Sequence, residues 1–108
     1  MARKRGFRNI VKEFKTYFGD GLLDDWQRLC RDVGLNGEYS SITQCRKALR
    51  TVHVNIFDLL DAVKEGRTPP HFGTAGELAE YTLETGRVYP KKAAKKMGPV
   101  RALLRMIF

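Results

Sequence analysis

A chain of 108 residues with 43% hydrophobic and 30% charged side chains is long enough for one core, which excludes a fully disordered protein and removes the need for a metal or disulfide scaffold. The net charge of +8 is segregated: residues 1–15 set six cations against Glu13 for +5, and residues 87–108 hold seven cations and no acid for +7. Residues 16–86, with seven cations and eleven acids, carry −4, so basic ends flank a mildly acidic body and point to nucleic acid or another anionic surface.

In residues 4–18, Phe7, Ile10, Val11, Phe14, Tyr17 and Phe18 recur at spacings of three and four, which predicts an amphipathic helix with cations on its other faces. The turn "GDG" follows. In "LLDDWQRLCRDV" (22–33), Leu22, Trp26, Leu29 and Val33 form a stripe with Leu23 and Cys30 beside it. Asp24 and Asp25 suit the first turn, Arg28 and Arg31 the later turns, and Gly34 the position just past the helix end.

The strongest periodic signal runs through Ile42, Cys45, Leu49, Val52, Ile56, Leu59 and Val63. Ser41 and Gln44 match a capping box, and Gly66 a stop. One helix is expected over 41–65, about 36 Å long and the spine of the fold. The β-branched run "TVHVNI" (51–56) suggests a strand, but its period is not two.

"GRTPPHFG" (66–73) breaks the helix inside one domain, because Pro69 and Pro70 exclude its continuation. A further helix is expected from Thr74, with Glu77 in a second capping box, carrying Leu78, Tyr81 and Leu83, and with Gly86 as its stop. In "PKKAAKKMGPVRALLRMIF" (90–108), Pro90 fits the first helical position and Gly98 the stop. Pro99 then begins a last helix with Val100, Leu103, Leu104 and Ile107 inward. The fold class expected is all-α: a compact single domain, 1–108, of five or six helices around helix 41–65.

Cys30 and Cys45 do not make a disulfide framework, and the basic N-terminus lacks the apolar run of a secretory signal. No segment has the roughly 18 apolar residues of a membrane span. An intracellular setting, nuclear or cytoplasmic, is expected, with both thiols free.

Nothing in the sequence spells out catalysis. His53 borders the apolar stripe and His71 sits in the Pro-rich loop, without a triad pattern. Cys30, Cys45, His53 and His71 lack zinc-ligand spacing. Asp58 and Asp61, three apart, read as a solvated helix face. "HFGTAGE" fits no phosphate-loop motif. No enzyme activity, cofactor or metal is expected.

The function class left is a basic binding module. Arg3, Lys4, Arg5, Arg8 and Lys12 at the N-terminus, Arg46, Lys47 and Arg50 on the long helix, and Lys91, Lys92, Lys95, Lys96, Arg101 and Arg105 at the C-terminus are candidates for DNA or RNA phosphates. The order 22–33, loop, 41–52 invites a helix-turn-helix comparison with Gln44, Arg46, Lys47 and Arg50 as reading residues, although the loop is longer than usual. The alternative is a protein-interaction module or homodimer using the heptad helix and "VRALLRMIF". Membrane-surface binding by the basic N-terminus is a third option. A fourth is that the basic ends dock on the acidic body.

The stretches "DDWQRLCRDVG", "SITQCRKALRTVHVNIFDLLDA" and "YPKKAAKKMGPVRALLRMIF" resemble small uncharacterised proteins of filamentous fungi over most of the chain. The resemblance implies a fungal source and an intracellular helical domain. It transfers no active residue.

Overall fold

The computed structural model describes residues 8–96 and Pro99, the side chains of Lys95 and Lys96 excepted. Six α-helices make up the described chain: α1 Ile10–Phe18, α2 Leu23–Asp32, α3 Ile42–Leu49, α4 Ile56–Glu65, α5 Ala75–Thr85 and α6 Lys91–Lys96. No strand occurs among the described residues, so the fold is all-α.

Helix α1 starts at Ile10 because Asn9 caps it, its side-chain oxygen accepting from the Lys12 N–H at 3.1 Å. Ile10, Phe14 and Phe18 face inward. In α2 the Asp25 carboxylate accepts from the N–H groups of Gly21 and Leu22, both at 3.0 Å. Leu22 precedes the helix and is 65% exposed, so it does not join the stripe of Trp26, Leu29 and Val33. Gly34 follows with φ +98°, and a Cβ there would lie 2.9 Å from Thr68 Cγ2, so both conformation and space require glycine.

The expected helix over 41–65 is two helices. Residues 50–55 are not helical, and α4 is ten residues long, about 15 Å rather than 36 Å. Two local preferences beat the heptad. Thr51, Val52 and Val54 favour extended backbone, and Asn55 is a strong cap whose Oδ1 accepts from the Phe57 and Asp58 N–H groups at 2.9 and 3.1 Å. The break is also tied across the fold, since the His53 carbonyl accepts from the Phe72 N–H at 2.9 Å. The apolar phase survives it: Cys45, Leu49, Ile56 and Leu59 are buried, and Ile42, Val52 and Val63 pack against the core.

Ser41 Oγ accepts from the Gln44 N–H as expected, but the Gln44 amide oxygen reaches the Ser40 N–H at 2.7 Å, one residue upstream of a capping box. The same shift occurs at α5, where Thr74 Oγ1 accepts from the Glu77 N–H and Glu77 from the Gly73 N–H. Gly66 and Gly86, with φ of 70° and 72°, end α4 and α5 as expected. On α5, Leu78 is buried, but Leu83 is 73% exposed and Thr82 takes the inward place. Pro90 stands just before α6, its carbonyl accepting from the Ala94 N–H. Gly98 and residues 100–108, with their expected apolar stripe, lie outside the described residues.

The core centres on Phe14, Leu29, Leu49, Ile56, Leu59 and Leu78. The Phe14 ring meets Tyr17, Phe18 and Tyr89, which joins the segment before α6 to α1. Cys30 and Cys45 are buried, free thiols where α2 meets α3; burial first, then Cys45, pushes the Cys30 thiol up to about 12, so it is unreactive at neutral pH.

Candidate nucleic-acid interface

One cation from each basic segment meets on one carboxylate of α4. Arg8 Nη2 donates to Asp61 Oδ1 at 2.7 Å, and Arg87 Nη2 donates to Asp61 Oδ2 at 2.6 Å. Arg8 also holds Glu13 through Nε and Nη2 at 2.9 and 3.1 Å. Arg87 Nε donates to Asp58 Oδ1 at 3.0 Å, and the Tyr81 hydroxyl donates to the same oxygen at 2.9 Å. Phe57 lies beneath both guanidinium groups, 5.3 Å from Arg8 and 5.4 Å from Arg87, within cation–π reach. Lys64 Nζ adds a contact to Glu13 at 3.4 Å.

This arrangement corrects the reading of Asp58 and Asp61 as a solvated face. Asp58 is buried, and the Asp61 side chain is 29% exposed between two arginines. Burial opposes charge on Asp61, but the hydrogen bonds and fields of Arg8 and Arg87 outweigh it and hold its carboxyl below the ordinary aspartate range. The Arg8 hydrogen bond does the same for Glu13, and Arg8 itself is held more firmly protonated than usual. Burial, then Asp58, pushes the Tyr81 phenol up. The docking of basic ends on an acidic body is therefore realised at Arg8 and Arg87.

The structure sorts the other candidate cations. Lys12, on the outer face of α1, is exposed, as are Lys91 and Lys92 at the start of α6. On α3 the Arg46 guanidinium lies 5.2 Å above the Trp26 ring, while Lys47 and, just past the helix end, Arg50 are exposed. Arg3, Lys4, Arg5, Arg101, Arg105 and the side chains of Lys95 and Lys96 lie outside the described residues. Of the helix-turn-helix reading residues, Gln44 spends its amide oxygen on the Ser40 N–H and hydroxyl, while the inner face of α3 is formed by Cys45 and Leu49.

Between α1 and α4 lies a groove of about 430 Å³ with Tyr17, Leu60 and Val63 in its wall and Lys12 and Lys64 beside them. The Tyr17 hydroxyl donates to Asp32 at 2.5 Å, and burial, then Asp32, raises its pKa. His71 Nε2 is engaged by the Val33 carbonyl, and His53 is half-buried. Among the described residues no group of three or more His, Cys, Asp or Glu side chains is placed to hold a metal, and no helix is long and apolar enough to cross a membrane.

The sequence marks Arg8 as a candidate phosphate contact without indicating a partner, and it gives Arg87 and Glu13 no role beyond their charge. A local signal for Glu13 existed, since it lies five residues from Arg8 on a predicted helix. Nothing local marks Arg87 as a partner of Asp61, 26 residues away. No family model, curated protein or solved structure matches the chain.

Proposed function

We propose that this protein is a small, non-enzymatic, intracellular module that binds nucleic acid phosphates through its basic N- and C-terminal segments. The observation that carries this reading is the convergence of Arg8 and Arg87 on Asp61, which brings one cation of the +5 segment and one of the +7 segment to one place. Arg8 then acts as a clamp, and phosphate contact falls to the cations that extend from it. These are Lys12, Lys91 and Lys92, with Arg3, Lys4, Arg5, Lys95, Lys96, Arg101 and Arg105; Lys47 and Arg50 add charge from α3. Lysine and arginine on phosphate release counterions, a source of affinity that ignores sequence.

The test is binding to short DNA and RNA of several sequences over a salt series. Binding near 50 mM salt that falls steeply as salt rises, and that differs little between sequences, is expected. Absence of binding there would overturn the reading. A strong preference for one sequence would restore the helix-turn-helix version.

The groove beside Tyr17, Leu60 and Val63 favours a second reading as a protein-interaction module. The heptad stripe offers it little, because Cys45, Leu49, Ile56 and Leu59 already fill the core. Mass in solution tests the homodimer: a monomer at high concentration counts against it.

A further inference from the structure

The loop between α2 and α3 runs between two hollows that share Glu38 and Tyr39. One, about 620 Å³, also has Gln27, Arg31 and Ser40 in its wall. The other, about 550 Å³, has Gln44, Lys47 and Thr51. An aromatic ring thus stands between a cation on α2 and a cation on α3.

The ring is held in place. Gln27 Nε2 donates to the Tyr39 carbonyl at 2.6 Å, which ties the loop to α2. A Cβ on Gly37 would lie 2.6 Å from the ring Cζ, so the ring rests against backbone that only glycine leaves open. It is half-buried against the core and still borders both hollows. Arg31 and Lys47 are exposed, and neither side chain makes a hydrogen bond or ion pair among the described residues. Fixed aromatic rings flanked by free cations bind unpaired strands: the base stacks and the backbone charge is neutralised, whereas a duplex offers no free base face.

We infer that the Tyr39 trough is a single-strand subsite, in which one base stacks on Tyr39 and the phosphates on either side of it meet Arg31 and Lys47. This rests on the nucleic-acid reading and gives it a substrate class, an unpaired strand. The Glu38 carboxylate in the trough repels phosphate and accepts from an exocyclic amino group, so cytosine is favoured over thymine, which has none.

The experiment measures affinities of the full chain for labelled oligo-dC, oligo-dT and a duplex of equal length. Tyr39→Leu is expected to weaken the single strands about tenfold and to leave the duplex within about twofold, with Tyr39→Phe retaining wild-type affinity. Equal losses on single strand and duplex, or no loss on either, would overturn the subsite. Should Tyr39→Leu fail to fold, the exposed pair Arg31→Gln/Lys47→Gln decides. It is expected to lower the single-strand salt slope by about 1.4, and an unchanged slope overturns the subsite. Equal affinity for oligo-dC and oligo-dT removes Glu38 from it.

Failure of the two assignments is distinguishable. If Lys91→Gln/Lys92→Gln changes nothing while Tyr39→Leu weakens single-strand binding about tenfold, the basic ends fail and the trough stands. If the lysine variants weaken binding and those at 31, 39 and 47 do not, the trough fails alone. No binding by the wild type to any probe overturns both.

Discussion

Asn55→Ala is expected to destabilise the protein by about 3–5 kcal/mol, read as a lower denaturant midpoint at unchanged slope. The residue is 2% exposed and its side chain makes four hydrogen bonds. Its oxygen caps α4, and caps of this kind contribute about 1–2 kcal/mol. Its amide nitrogen donates to Thr82 Oγ1 at 3.2 Å and to the Arg87 carbonyl at 3.0 Å, which joins α4 to α5 and to the start of the C-terminal basic segment. Alanine strands all four partners, and each buried polar group left unpaired adds about 1 kcal/mol or more. Asn55→Asp separates the two halves. It keeps an acceptor at the helix start, where negative charge is favoured, and loses only the two donations, so an intermediate loss is expected. If the two variants were equally stable, the cap would not hold the break between α3 and α4.

Arg87→Met is expected to cost about 2–4 kcal/mol at neutral pH, somewhat under the full cost of breaking a buried pair because the Arg87 side chain is 29% exposed. Methionine keeps much of the packing on Phe57 but leaves Asp58, with a side chain 10% exposed, without a cation. One Asp58 oxygen, Oδ2, is already buried without a partner among the described residues, so this carboxylate has little reserve. The pH dependence follows from Asp61 and Glu13, both held below their ordinary pKa. A depressed carboxylate pKa contributes stability that is complete above the unfolded-state value and is lost as pH falls through the folded one. Wild type should therefore lose stability on acidification through and below the carboxylate range. Removing Arg87 relieves part of the depression at Asp61, so the gap between Arg87→Met and wild type should narrow over that window. Stability measured at neutral pH and at several acidic values checks it, and a gap that widened would contradict the ion-pair role.

Most helix ends are legible in the sequence because their causes are local. Ser41, Thr74, Gly66 and Gly86 act within one turn of where they stand. The break at 50–55 is hidden for a physical reason: α3 and α4 both turn to the same core, so apolar spacing runs on across it. Asn55 and the β-branched residues around it carried the signal, and the stripe outweighed it. Spacing puts Leu22 in the stripe of Trp26, Leu29 and Val33, yet it stands just before the helix and meets solvent.

The candidate interface was legible only as charge. Counting cations finds the basic ends, but not that Arg8 and Arg87 share Asp61, since those pairs span 53 and 26 residues. The same long-range pairing hid the burial of Asp58, whose spacing from Asp61 matches an ordinary solvated pair. Tyr39 lay in a loop with no periodicity, and its place between two cations depends on how α2 packs on α3.

The most direct measurement of the central assignment is the salt dependence of nucleic-acid affinity in wild type and in Lys91→Gln/Lys92→Gln. Both lysines are exposed on α6, so the substitutions leave the core and the Asp61 clamp intact. A role in phosphate contact lowers the slope of log affinity against log salt by about 1.4 on single strands and about 1.8 on duplex. An unchanged slope, with wild-type affinity retained, would contradict the assignment of the C-terminal basic segment to nucleic acid.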